Sequence, residues 1–301
     1  MLKNRNLKKY SSIKSAAFFF LSPALGAIFV FFFIPVIAAF AMSFTDFDIY
    51  SLGDWTKARF IGIKNYMNLF EDALFWTSLK NTFYYVIAAT PVSIAVSLGA
   101  AILLNSKLIK LKGLFRLTYF IPVITTLVAV AIVWRFIYHP GFGILNYFLG
   151  MFGLSPVDWL GDPNWAMPAI ILMAVWKNFG YNMIIFIAGL QNIPDYLYEA
   201  SVIEGANGWQ QFKSITIPML APTTFFISII TMIGFFQLFA EPYVMTQGGP
   251  LNKTLSIVQY MYHEGFRWWN MGYSASIAFI LFFIIFAGTL IQFKIQKTTE
   301  L

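Results

Sequence analysis

Residues 16–42 read AAFFFLSPALGAIFVFFFIPVIAAFAM, and no charged side chain occurs between Lys14 and Asp46. About 20 consecutive apolar residues are enough to carry a helix across the hydrocarbon core of a bilayer. This run exceeds that length and has no polar stripe, so every face of the helix must be matched to lipid. Ala39-Phe40-Ala41 looks like a signal-peptidase site. A cleavable apolar region, however, is only about 7–15 residues long, so the run is expected to stay as a membrane anchor.

The rest of the chain repeats the pattern. Of 301 residues, 59% are hydrophobic and 11% charged, against about 25% charged in soluble domains. With a mean hydropathy of +0.70, the chain carries more apolar surface than a water-soluble core of this size can absorb. Further spans are expected near Thr82–Leu104, Leu117–Tyr138, Ala166–Leu190, Pro218–Ala240 and Ser274–Phe293. Pro91, Pro122, Pro168 and Pro222 are compatible with these helices, because neighbouring groups in a membrane protein can satisfy the freed carbonyls. The expected fold is all-α, polytopic, with six transmembrane helices.

The net charge of +7 points to loops and not to nucleic acid, because the basic residues cluster between apolar runs. Lys3, Arg5, Lys8, Lys9 and Lys14 precede the first span, and Lys107, Lys110, Lys112 and Arg116 follow the second. By the positive-inside rule both segments belong in the cytoplasm. The loop 139–165 has Asp158 and Asp162 but no Lys or Arg, which places it outside. An even number of spans then returns Lys294 and Lys297 to the cytoplasm, so both termini are expected there. There is no cysteine, which excludes disulfides, Cys-ligated metals and thiol nucleophiles.

Catalytic patterns fail on inspection. His263-Glu264 opens like a zinc-protease motif, but the position of the second ligand holds Arg267. Gly272-Tyr273-Ser274-Ala275-Ser276 departs from a nucleophile elbow at its last residue. No Gly-rich loop ends in Gly-Lys-Ser or Gly-Lys-Thr, so ATP hydrolysis by that route is absent from this chain. The chain is therefore expected to be no enzyme, with no catalytic and no metal-ligating residues and no cofactor of its own. A secondary, ion-coupled carrier or a polytopic enzyme stay as alternatives, although a carrier would place carboxylates deep among its helices.

The segment out of character is 191–218, QNIPDYLYEASVIEGANGWQQFKSITIP. Asn192 is expected to cap a short helix, with Pro194 in its first turn, and Tyr196, Ala200 and Ile203 share one face. Gly205 is expected to end that helix, and a second one carries Trp209 and Phe212 to the membrane at Pro218. With three acids and one lysine, the segment is a poor match to an anionic lipid surface and a better match to a protein partner.

Glu199-Ala200-Ser201, Gly205, Ile215 and Ile217-Pro218 have the spacing of a cytoplasmic signature, Glu-Ala-Ala, three residues, Gly, nine residues, Ile, one residue, Leu-Pro. In these residues the chain resembles permease subunits of binding-protein-dependent ABC importers, in the maltose-type carbohydrate branch. Asn81-Thr82, Phe120-Ile121-Pro122, Asp158-Trp159-Leu160-Gly161, Ala188-Gly189-Leu190-Gln191 and Thr246-Gln247-Gly248-Gly249-Pro250 extend the likeness over most of the chain. The resemblance implies a coupling loop, 191–217, that docks on an ATPase subunit. There Glu199 would meet a basic group, Ala200 and Ser201 would permit close approach, and Gly205 would allow the turn. It also implies two ATP-binding subunits that hydrolyse the ATP, a second permease subunit, an external binding protein, and a location in a bacterial or archaeal inner membrane. The expected organisation is 1–76 as tail, first helix and outer loop, 77–293 as a five-helix permease core, and 294–301 as a tail. Asn178, Tyr181, Asn182 and Gln237 are polar groups at membrane depth, where they either line the path of a sugar or similar solute or join helices.

Overall fold

The computed structural model describes residues 18–106 and 109–299, with the side chains of Trp55 and 297–299 left aside. The basic residues from Lys3 to Lys14, and Lys107, lie outside the described residues. The described chain is helical. In order along the chain, the helices are α1 (Phe18–Met42), α2 (Ile49–Gly53), α3 (Lys64–Glu71), α4 (Ala73–Asn105), α5 (Lys112–Ile124), α6 (Leu127–Ile137) and α7 (Ile144–Met151). Then follow α8 (Ala166–Gln191), α9 (Asp195–Ile203), α10 (Gly208–Met219), α11 (Ala221–Phe236), α12 (Ala240–Met245), α13 (Ile257–Tyr262) and α14 (Met271–Thr299).

Four helices, α1, α4, α8 and α14, are long and apolar enough to cross a membrane. The count reaches the expected six if each of two bent pairs is one span: α5 with α6, bent by 100°, and α10 with α11, bent by 63°. The third span was expected to run unbroken over Leu117–Tyr138. Instead, Thr125 and Thr126 adopt extended backbone, with ψ of 140° and 136°, and divide it. Pro122 weakens the helix just before this point by withholding an N–H. Pro91, by contrast, sits inside an uninterrupted α4. The second span is also longer than expected, beginning at Ala73 because Asp72 caps it through an acceptor bond from the Leu74 N–H at 2.8 Å.

The chain forms two compact units, the first made of Met1–Leu69 with His263–Phe279, the second of Phe70–Tyr262 with Ile280–Leu301. In the first unit, α1 buries none of its apolar window and presents Phe18, Phe20 and Phe31 outward. Such all-round exposure is stable only in lipid or against a partner. The loop after α1 is held by the Asn65 amide, which donates to the carbonyls of Ser43 and Thr45 at 2.9 Å each. Asp46 pairs with Arg59 at 3.1 Å, and Asp48 caps α2 by accepting from Tyr50 and Ser51. Asp54 accepts from the Thr56 hydroxyl and then from its N–H, which hold its carboxyl below the usual range.

In the second unit α4 packs along α8. Ala101 and Leu104 of α4 cluster with Phe179, Met183, Phe186 and Leu190 of α8, and Ile187, Ile193, Leu220 and Ile227 complete the cluster. The N-terminal part of α4 also holds the chain before α13. Asn81 donates to the Asn252 and Leu255 carbonyls at 2.7 and 3.0 Å, and the Thr82 hydroxyl accepts from the Ile257 N–H at 2.9 Å. Asp72 accepts from the Tyr260 hydroxyl. Asn146 of α7 fixes the loop before α8 by bonding both backbone groups of Val157 and accepting from the Trp159 indole.

The tightest approach is at Gly180 of α8, where an added Cβ would lie 2.0 Å from the Tyr119 carbonyl of α5. Backbones in membranes approach closely where small residues allow it. Replacing Gly180 by Val is expected to force α5 away from α8 and cost about 1–3 kcal/mol. A thermal-unfolding scan of the detergent-solubilised chain, with the exposed Gly150→Val as control, should show a lower midpoint for Gly180→Val alone.

Candidate functional site

Two features stand apart from the packing core: the helix pair of residues 195–219 and a partly polar cavity between α8 and α11.

In the first, α9 starts at Asp195, with Pro194 preceding it in extended backbone and Asp195 placed against the positive end of the helix. Asn192 does not cap α9 as expected. It terminates α8, its N–H bonding the Gly189 and Leu190 carbonyls. α9 has no side-chain cap, whereas α10 is capped by Asn207, which accepts from the Gln210 N–H at 3.0 Å while the Gln210 side chain accepts from the Asn207 N–H at 2.8 Å. Gly205 ends α9 as expected. Its φ is +83°, and the Ala206 and Gly205 N–H groups bond the Ser201 and Val202 carbonyls at 2.8 and 3.0 Å, a Schellman arrangement.

The faces of α9 divide cleanly. Leu197 and Tyr198 pack on the core, and buried Ser201 accepts from the Gln211 amide at 2.9 Å. The Tyr198 hydroxyl is 2.9 Å from that of Thr216. These contacts tie α9 to α10. Ser201 therefore faces this chain's own α10, whereas Ala200 lies exposed beside Glu199. Tyr196, Glu199, Ala200 and Ile203 share the outward face at helical spacing, and Ile203 is 88% exposed and Trp209 70%. Ile215 is packed against the core, and Pro218 is exposed just before the bend into α11.

The second feature is a cavity of about 330 Å³. Asn178, Tyr181 and Asn182 line it from one face of α8, Thr231, Gly234 and Phe235 from one face of α11, and Glu241 from α12. Asn182 is 3% exposed and donates to the Thr231 hydroxyl at 3.0 Å and, more weakly, to Ser93 of α4 at 3.5 Å. It thus joins three helices as well as lining the cavity. The Asn178 amide donates back to the Ala174 carbonyl at 2.9 Å.

Gln237 is exposed and outside the lining. The reason is local: α11 ends at Phe236, and Gln237 leaves the helix with ψ of 21°, so its side chain does not continue the Thr231–Gly234 face. Sequence reading passed over Thr231 and gave Glu241 no role. The usable signal was Glu241 one residue beyond the apolar run of the fifth span.

A polytopic helical membrane protein with an outward-turned helical crest and a polar cavity between spans has the form of a transport component. The profile of the family described as "Binding-protein-dependent transport system inner membrane component" matches residues 15–300, and the chain belongs to that family. It is similar to the arabinooligosaccharides transport system permease protein AraP of Bacillus subtilis, 36% identical over 95% of this chain and 90% of the relative. It is likewise similar to the lactose transport system permease protein LacF of Rhizobium radiobacter, 34% identical over 96% and 95%. A bacterial ABC transporter involved in import of the acidic polysaccharide alginate has the same fold, with a TM-score of 0.80 at 21% identity, covering 97% of this chain and 99% of that one. The chain is a multi-pass membrane permease, and it is a transport component, not an enzyme.

α9 has two weak points, its end at Gly205 and its bond to α10 at Ser201. Gly205→Val meets no neighbour within 4 Å, so its cost is conformational, about 1 kcal/mol or more for a β-branched residue at positive φ. Ser201→Val removes the bond from Gln211 and leaves that amide unpaired, also about 1 kcal/mol. Hydrogen exchange over 195–204 is expected to speed up by about 5-fold in each variant, with α8 protection unchanged.

Proposed function

We propose that this chain is a permease subunit of an ATP-driven ABC importer for a sugar or similar polar solute. The observation that carries the reading is the continuity between the two features. The exposed crest of α9 is fixed to α10 through Ser201, Tyr198, Gln211 and Thr216, and α10 runs through one bend into α11, whose face walls the cavity. A push on the crest is therefore delivered to the cavity.

In this reading Tyr196, Glu199, Ala200 and Ile203 form the surface that docks on an ATPase subunit, with Glu199 against a basic group there. ATP is hydrolysed by that partner, expected in two copies, and a second permease subunit and an external solute-binding protein complete the importer. Asn178, Tyr181 and Asn182 offer amide and hydroxyl groups to a solute, as a path for a hydroxyl-rich molecule requires. The solute class also follows the named cargoes of AraP and LacF. Residues 77–293 would form the permease core, with 1–76 and 294–301 accessory to it. Both termini would face the cytoplasm of a bacterial or archaeal cell, as the basic segments require.

Glu199→Lys should leave insertion intact, place a like charge against the basic partner, and lower both ATPase retention in pull-downs and solute-stimulated ATP hydrolysis. Full ATPase binding and full transport in this variant would remove the docking role. Orientation is read separately. Single cysteines at Asn6, Lys110 and Thr298 should resist an impermeant thiol reagent in intact cells or spheroplasts, and those at Ser51 and Asn164 should react. Outside labelling of Asn6 or Lys110 would reverse the assignment.

A further inference from the structure

Glu241 is the single carboxylate among the cavity walls, and it is 9% exposed. The Lys177 ammonium of α8 lies within electrostatic range of its carboxylate. No direct ion pair joins the two among the described residues, and Lys177 is not part of the wall. Near it is a buried hydroxyl. The Tyr85 hydroxyl of α4 is fully buried, has no hydrogen-bond partner among the described residues, and is within electrostatic range of Glu241. The Tyr85 ring packs edge-on against the wall residue Phe235 at 5.3 Å. Among the described residues no side-chain donor bonds the Glu241 carboxylate, so its acceptor positions are open to a molecule in the cavity.

We infer that Glu241 sets the charge selectivity of the cavity, its carboxylate accepting hydroxyl donors from an uncharged, hydroxyl-bearing solute and turning away solutes that carry carboxylate or phosphate. The inference rests on the cavity being the solute path. Glu241 is part of the wall of this cavity of about 330 Å³, so a carboxylate or phosphate seated inside it lies within several ångströms of a like charge. At an effective dielectric near 20 such a like-charge contact lowers affinity by about 100-fold or more. Sugar hydroxyls donate where the carboxylate accepts, so the same residue that rejects the anion holds the neutral solute. Asn178 and Tyr181 complete the polar lining without adding charge.

The test is equilibrium dialysis of the assembled transporter in nanodiscs, this chain with its partner permease and ATPase subunits, with no binding protein present to impose its own selectivity. The probes are labelled neutral di- and trisaccharides, arabinotriose, lactose and raffinose among them, and the anions trigalacturonate and glycerol 3-phosphate. The wild type should retain a neutral probe and neither anion. Glu241→Gln should weaken the neutral probe about 10-fold and raise the anion-to-neutral retention ratio at least 10-fold. Glu241→Asp, which keeps the charge, should keep the anions out, an outcome that a merely structural role for Glu241 does not produce. An unchanged ratio in Glu241→Gln, with neutral binding weakened in Asn178→Ala, overturns the inference and leaves the cavity reading standing. Retention of an anion by the wild type also overturns it. If the wild type retains no neutral probe, or neither variant alters retention, the cavity reading falls together with the inference.

Discussion

The structure depends on how α4 and α8 are held together where hydrophobic burial offers no preference between protein and lipid. Among lipid tails, helices associate through close packing and through hydrogen bonds that have no better partner. Both are present. Met183 and Phe186 fill the seam against Ala101 and Leu104, and Asn182 reaches Thr231 of α11 and Ser93 of α4 from the middle of α8. Gly180, one turn from these contacts, lets α5 close on α8 from another side. Because Asn182 also lines the cavity, the bond that assembles the bundle is part of the wall that a solute would meet.

That dual use ties the shape of the cavity wall to the stability of the bundle. The cavity is not an addition to a finished core, and it cannot be remodelled at Asn182 or Thr231 without loosening three helices. Glu241, Asn178 and Tyr181 are freer, since none of them carries a side-chain bond between helices among the described residues. The 195–219 element is arranged similarly. Ser201 and Gln211 are structural, whereas Glu199 and Ile203 point outward with no duty to the fold.

The spans were legible because a bilayer imposes length and apolarity on sequence directly, so residues 16–42 or 166–191 admit few other readings. Helix breaks were less so. Pro91 and Pro122 look alike in sequence, yet only the latter stands near a break, because Thr125 and Thr126 turn to extended backbone in three dimensions. Gly205 could be read as a stop because positive φ has few residue solutions, but whether Asn192 starts α9 or ends α8 depends on the path of the chain, and it ends α8. Ser201 followed the signature pattern while facing inward, a matter of which side of α9 meets α10. Gln237 was a fair candidate until the helix ended one residue too early. Glu241 stayed without a role because its position, just past an apolar run, looks like a loop charge until α12 folds it back onto α8 and α11.

The length of α4 has a mechanical consequence. Its 33 residues span about 50 Å, while the hydrocarbon core is about 30 Å thick. A helix this long cannot be hidden by modest tilt alone, so several turns stand clear of the acyl chains. The end that carries Asn81 and Thr82 grips the backbone at Asn252, Leu255 and Ile257. It acts as a rigid mast stepped in the bilayer, and the loop lashed to it keeps its height and bearing whatever the thickness of the surrounding lipid.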